Sequence, residues 1–179
     1  MARYISVVET ARMIRAALRE AFPGVRFTVR SSSYSGGASI NVGYTDGPTN
    51  AQVRAITGNF EGSYFDGMTD YQGSNYSSVN GEEVRFGADF IFVNRDYSET
   101  FLTTGVQAAC VYYGYEMPEI IVGTRTCWAN FNDYEMQRRV MQQVEDVSLC
   151  ETQNSQVAAS VEFLGDDGYG YGAVGRLAA

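Results

Sequence analysis

Two capping boxes, at Ser6-Val-Val-Glu9 and Thr49-Asn-Ala-Gln52, do most to limit what this chain can fold into. Each sets a hydroxyl three residues ahead of a carboxylate or amide that reaches back to it. That pairing satisfies the free amides at a helix N-terminus. Behind the first box, Val7, Ala11, Ile14, Leu18 and Ala21 recur at helical spacing, and Pro23-Gly24 stops the run. Arg12, Arg15 and Arg19 fall on the outer face of the same helix. Behind the second box, a shorter helix runs through Val53 and Ile56 to Gly58. Between the boxes, Val25 to Ser33 and Ala38 to Tyr44 alternate with a period of two. Ser35-Gly36-Gly37 joins them, and Asp46-Gly47-Pro48 ends the second. The N-terminal part therefore reads α-β-β-α.

Residues 60 to 82, rich in Gly, Ser, Tyr, Asn and Asp, predict a short strand or two with long loops. Val84 to Val93 reads as one strand with Phe86, Ala88, Phe90 and Phe92 on one face. Asp96-Tyr-Ser-Glu99 caps a third helix, turning Phe101, Leu102, Val106, Ala109, Cys110 and Tyr113 inward. Pro118 to Val122 is a short strand. Asn132-Asp-Tyr-Glu135 opens a fourth helix with Met136, Val140, Val144 and Val147 as its apolar stripe, and Val157 to Leu164 is a last strand. The expectation is one α+β domain over residues 1–179, a mainly antiparallel sheet with about four helices packed on it. Within it, residues 101–164 form a helix-rich acidic extension and 165–179 a mobile glycine-rich tail.

The composition removes most catalytic classes. The chain has no histidine and no lysine, and all thirteen basic residues are arginine. Ser-His and Cys-His nucleophile pairs, HExxH zinc sites, the P-loop lysine and Schiff-base chemistry are therefore excluded. Cys110, Cys127 and Cys150 are too far apart in sequence for the usual zinc spacing and odd in number, so they read as free thiols. The expectation is a protein with no cofactor, no metal and no catalytic residue. No apolar run reaches the roughly 20 residues a membrane helix needs, and Met1 to Glu9 carries no signal-peptide h-region, which predicts a cytoplasmic protein.

Charge is divided unevenly. Residues 1–54 hold seven arginines against three acids, and residues 55–179 hold six against eighteen, for a net of −8 overall. Such asymmetry signals a partner. The acidic pairs Glu82 with Glu83, Glu145 with Asp146 and Asp166 with Asp167 are the candidate contacts for a basic one, placed outside because unpaired carboxylates are costly to bury. Tyr64, Tyr71 and Tyr76, in the polar loop region, join them, whereas Tyr112, Tyr113 and Tyr115 read as packed.

Three motifs reduce to plainer readings. Gly170-Tyr-Gly172-Ala-Val-Gly175 matches GxGxxG but lies four residues from the chain's last residue, with no room for the helix and acid of a dinucleotide site. Asp66-Gly-Met-Thr-Asp70 places two carboxylates around a turn former, with no further calcium-ligand series. Arg30-Ser-Ser-Ser-Tyr-Ser-Gly-Gly37 is a strand running into a hairpin turn, with Arg30 held by a carboxylate such as Asp46. Anion binding there, backed by Arg12, Arg15 and Arg19, is the lesser reading.

The segments Ile5 to Arg12, Ala17 to Phe27, Val29 to Ile40, Tyr44 to Thr49, Phe65 to Asp70 and Gly81 to Asp89 together resemble large polyvalent protein-associated domain 29, from residue 4 to about 100. The resemblance implies a phage or plasmid source and a domain that occurs alone or within very large proteins acting on entry into a new host. It assigns no catalytic residues.

The leading expectation is a counter-defence protein that binds and inhibits a host CRISPR or restriction complex without catalysis. A host defence protein or ribonucleoprotein is then its partner, met by the acidic surface in place of phosphates. The second is a nucleic-acid-binding accessory using Arg12, Arg15, Arg19 and Arg30, which the net charge opposes. The third is an enzyme acting through Asp66, Asp70 or Tyr34.

Overall fold

A computed structural model of the chain describes residues 2–171. Both capping boxes form. The Ser6 hydroxyl accepts the Glu9 amide at 3.3 Å, and the Glu9 carboxylate accepts the Ser6 amide in return. This starts α1 (Val7–Ala21), which buries Val7, Ala11, Ile14, Leu18 and Ala21 along one stripe. Thr49 and Gln52 cap α2 (Asn50–Thr57) in the same way. Before α1, a short strand β1 (Arg3–Ile5) precedes the cap.

The two alternating stretches form a hairpin of β2 (Thr28–Tyr34) and β3 (Gly37–Thr45). Gly36 turns it at φ 94°, a conformation that favours glycine. The hairpin lies beside α1, whose Arg15 guanidinium donates to the Val29 carbonyl at 2.7 Å. The polar region folds into β4 (Ser63–Asp66) and β5 (Tyr71–Val79), a hairpin with a short turn in place of the expected long loops.

The stretch from Val84 to Val93 is not one strand. It divides into β6 (Glu82–Phe86) and β7 (Phe90–Asp96), which belong to different sheets. Gly87 donates its amide to Ile5 and Asp89 donates to Ala38, so three residues carry the chain from one sheet to the other. The step shifts the inward parity. Val84, Phe86 and Ala88 point inward before it, and Ile91, Val93 and Arg95 after it, which leaves Phe92 49% exposed.

The fold is α+β with mostly antiparallel pairing, and the described residues form three sheets rather than the expected one. β1, β6 and β5 run side by side with β10 (Val161–Asp166) beyond, and β4 also pairs β5. β2, β3 and β7 form the second sheet, with β3 and β7 parallel. β8 (Glu119–Val122) and β9 (Cys127–Asn130) form a ribbon. The first two sheets, α1 and α2 enclose one apolar core around Ile14, Leu18, Phe22, Ile40, Phe60 and Val84.

A second, smaller core lies between α3 (Glu99–Tyr113), α4 (Tyr134–Glu145) and the ribbon. The caps are Ser98 and Asp133, not Asp96 and Asn132. Ser98 accepts the Phe101 amide, while its own amide donates to the Asp46 carboxylate. This core closes on Leu102, Val106, Ala109 and Cys110, and it leaves Tyr112 75% and Tyr113 37% exposed. Tyr112 lies about 200° around the helix from Cys110, which is why the expectation that it packs inward fails.

Arg95 joins the two cores. The residue is 8% exposed, and its guanidinium donates to the carbonyls of Asp46, Gly47, Glu145 and Val147 and lies over the rings of Tyr97 and Phe101. After α4 the chain returns through a short helix α5 (Gln156–Ala159) to β10 on the first sheet. Among the described residues, no helix is long and apolar enough to cross a membrane. Cys110, Cys127 and Cys150 carry free thiols.

Candidate partner-binding surface

The sequence of residues 63–79 sets Tyr64, Tyr71 and Tyr76 among Ser, Gly, Asn and Asp, which suits a hairpin whose aromatics lie near a surface. Its turn is closed by Asp66, whose carboxylate accepts the Met68 amide and the Thr69 hydroxyl, both at 2.9 Å. The turn reading of Asp66 to Asp70 is thus the structural one, and Asp70 takes the left-handed conformation at φ 51°. The Asp66 carboxyl lies below its ordinary pKa, first because of the Met68 amide.

β10 then brings acids against this hairpin. Its ladder with β5 shifts between Phe163 and Gly165, and Gly165 adopts φ 136°. The bulge turns the following residues toward the tyrosines. Asp167 accepts the Tyr64 hydroxyl at 2.8 Å, the Tyr71 hydroxyl at 3.0 Å and the Ser74 amide at 2.8 Å. Burial pushes its carboxyl up, but these donors outweigh it and hold the pKa below the ordinary value. Burial, followed by the bond to Asp167, pushes both tyrosine hydroxyls up. These shifts favour protonated tyrosines beside a charged aspartate.

The chain after β10 closes over this cluster. The Gly170 amide donates to Tyr64, the Tyr171 amide donates to Asp66, and the Tyr169 ring sits edge-on to Tyr71 at 6.3 Å. Gly165 to Tyr171, the near end of the glycine-rich tail, is thus tied to the hairpin. Gly172 and Gly175 of the GxGxxG match lie outside the described residues, as does the rest of the tail. A cavity of about 310 Å³ opens here between Tyr64, Asp66, Asn75, Phe163, Asp166 and Tyr171.

The candidate residues divide between places. Asp166 and Asp167 are not a solvent-facing pair. Asp166 is 5% exposed and accepts the Gly168 amide, and Asp167 holds the tyrosines. Neither is an unpaired acid, since Asp166 accepts the Gly168 amide and Asp167 accepts the Ser74 amide and two hydroxyls. Glu83 shares this sheet: it and Glu162 of β10 lie opposite Ser78 from either side. Glu82 is at the surface, 3.4 Å from Arg3. Glu145 and Asp146 stand apart, at the end of α4, where Asp146 accepts the Gln142 amide group. Tyr76 faces Gly165 across the β5–β10 ladder.

The arginines are placed otherwise. Arg12, Arg15 and Arg19 are on the exposed face of α1, and Arg15, Arg19 and Arg26 line a cleft of about 240 Å³. Arg30 is exposed on β2 and makes no ion pair with Asp46, whose carboxylate serves Ser98 instead. Tyr34, at the end of β2, lies in a different sheet from Asp66 and Asp70. Among the described residues no three acids or cysteines converge as a metal site.

Sequence reasoning missed Arg95 and Asp89, the latter accepting the Ala38 amide and the Ser63 hydroxyl. For Arg95 the signal was present: it continues the inward parity of Ile91 and Val93.

The model of large polyvalent protein associated domain 29 matches residues 5–98, from β1 through the cap of α3. No curated protein and no solved structure matches the chain.

Proposed function

The chain belongs to the large polyvalent protein associated domain 29 family, which associates it with mobile genetic elements, and from that premise we propose that it is a non-catalytic counter-defence protein that binds and inhibits a host CRISPR or restriction complex. The observation that carries the reading is the Tyr64–Tyr71–Asp167 cluster. It fixes a charged carboxylate among half-buried aromatics, on one face of a sheet whose opposite face bears Glu83 and Glu162 beside Ser78. Complexes that hold nucleic acid carry basic channels, and a sheet with a tyrosine-framed carboxylate on one face and two glutamates on the other is suited to meet one. The protein acts in the host cytoplasm.

The test is capture of host proteins by the tagged chain from cells carrying several defence systems, with the captured complex then assayed for nuclease activity. Glu82→Arg with Glu83→Arg, and Glu162→Arg, should weaken capture without unfolding the chain, and added salt should weaken it further. A second reading rests on the arginine-lined cleft beside α1, which suits an anionic partner. If Arg12, Arg15 and Arg19 prove essential and the acids dispensable, nucleic-acid binding replaces the inhibitor reading.

A further inference from the structure

The sheet of β2, β3 and β7 has a face that neither core uses. Val29, Ile40, Val42, Ile91 and Val93 on its other face are buried in the first core with α1. On the open face, Arg30, Asn41 and Phe92 stand opposite one another in a single cross-strand row. Arg30 and Asn41 are exposed, and Phe92 is 49% exposed. Phe90 lies two residues along the same strand, half-buried on the same face. Among the described residues no hydrogen bond or ion pair engages the side chain of Arg30 or Asn41, and no ring pairs with Phe92. On these three strands the acid sharing the open face is Asp96, at its far end beside Thr45. Among the described residues the face thus carries an unpaired cation, an unpaired amide and an uncovered ring in one row, with Asp96 at its far end.

We propose that this open face is a binding platform for single-stranded nucleic acid, independent of the counter-defence reading. Neighbouring strands lie about 4.8 Å apart, so Arg30 and Phe92, two strands apart, are separated by about 10 Å. A base stacked on Phe92 then leaves its backbone phosphate within reach of Arg30, while Asn41 between them meets the base edge or sugar. Base–aromatic stacking accepts any base because every base has a π-face, and the guanidinium supplies the charge complement to phosphate. A duplex is a poor occupant, since its bases are already stacked and the sheet face presents nothing narrow enough to enter a groove.

The experiment is fluorescence anisotropy of the full chain with labelled single-stranded DNA, single-stranded RNA and the matching DNA duplex. Probes of mixed sequence, about twelve nucleotides long, are long enough to cross the three strands. Single strands should bind about tenfold or more tighter than duplex. Phe92→Ala should weaken single-strand binding about tenfold, with Phe92→Tyr retaining it. Arg30→Ala should weaken binding and lower the salt slope by about one released counterion. A preference between the DNA and RNA strands identifies which sugar the platform accepts. Circular dichroism checks that the exposed-site variants remain folded. Equal binding of duplex and single strand, no loss in Phe92→Ala, or no binding by the wild-type chain at low salt overturns the proposal. None of these results bears on capture of a host complex through the acidic face.

Discussion

The Tyr64 hydroxyl donates to the Asp167 carboxylate at 2.8 Å, joining residues 103 positions apart in sequence. One partner lies within the family segment, residues 5–98, and the other beyond it. The bond therefore ties the shared domain to a part of the chain outside it.

Replacing Asp167 by Asn keeps the shape but removes an acceptor from three donors. The expected loss is about 1 kcal/mol, less than for a fully buried group because solvent reaches the site. The folded Asp167 and Asp66 carboxyls lie below their ordinary pKa values. Their contribution is complete above the unfolded carboxyl pKa and is lost as pH falls through the folded values. Thermal melts of wild type and Asp167→Asn, taken across acid pH, should converge at the lowest values. A constant gap would contradict this.

Arg95 has no acidic partner within ion-pair distance among the described residues, yet it donates to four carbonyls from both cores. Arg95→Lys keeps the charge and loses the planar fork. The expected destabilisation is about 3 kcal/mol, in urea melts. A second effect should be faster amide exchange at Val147 and Leu149, since Arg95 holds that segment. Unchanged exchange there would mean the segment is held by other contacts.

Glu61 behaves oppositely to the aspartates. Burial pushes its pKa up, although its carboxylate accepts the Ile91 amide at 2.9 Å. A raised carboxyl pKa means that the folded state binds its proton more tightly than the unfolded state does. That contribution to stability is present at acid pH and lost as pH rises through the folded value. Glu61→Gln retains an acceptor for Ile91 and removes the charge. It should raise the melting temperature at neutral pH, with the difference shrinking on acidification. A lower melting temperature at neutral pH would refute this.

The thiols should react in two classes. Cys150 is half-buried, while Cys110 and Cys127 are buried. Burial raises the pKa of Cys110 and of Cys150, which slows both. In the native protein a thiol reagent should modify Cys150 slowly and the other two only on unfolding. Fewer than three thiols in denaturant without reductant would indicate a disulfide.

The elements that could be read from sequence are those with local causes. Helix caps and apolar stripes in α1 and α2 are set by residues three and four apart, and both formed as expected. β1 and β9 are too short to carry a period. The break at Gly87 depends on Ile5 and Ala38, distant residues that receive its flanking amides. The candidate surface was half visible. Tyr64 and Tyr71 stood out because a polar, glycine-rich setting is a poor place to bury rings. Their link to Asp167 was invisible, because it depends on how β10 docks. The expected exposure of Asp166 follows from the cost of an unpaired carboxylate, and the Gly168 amide on its own loop meets that carboxylate.

The pairing of β10 with β5 has a consequence for the modularity of the domain. The family segment contains β5 but not the strand that covers its flank from Asn75 to Val79. A fragment cut after residue 98 would present that flank as a row of unsatisfied amides and carbonyls, a template for any extended chain nearby. In this chain β10 is the strand that closes that flank. Within a longer polypeptide, whatever follows the segment must either supply that strand or shield its absence.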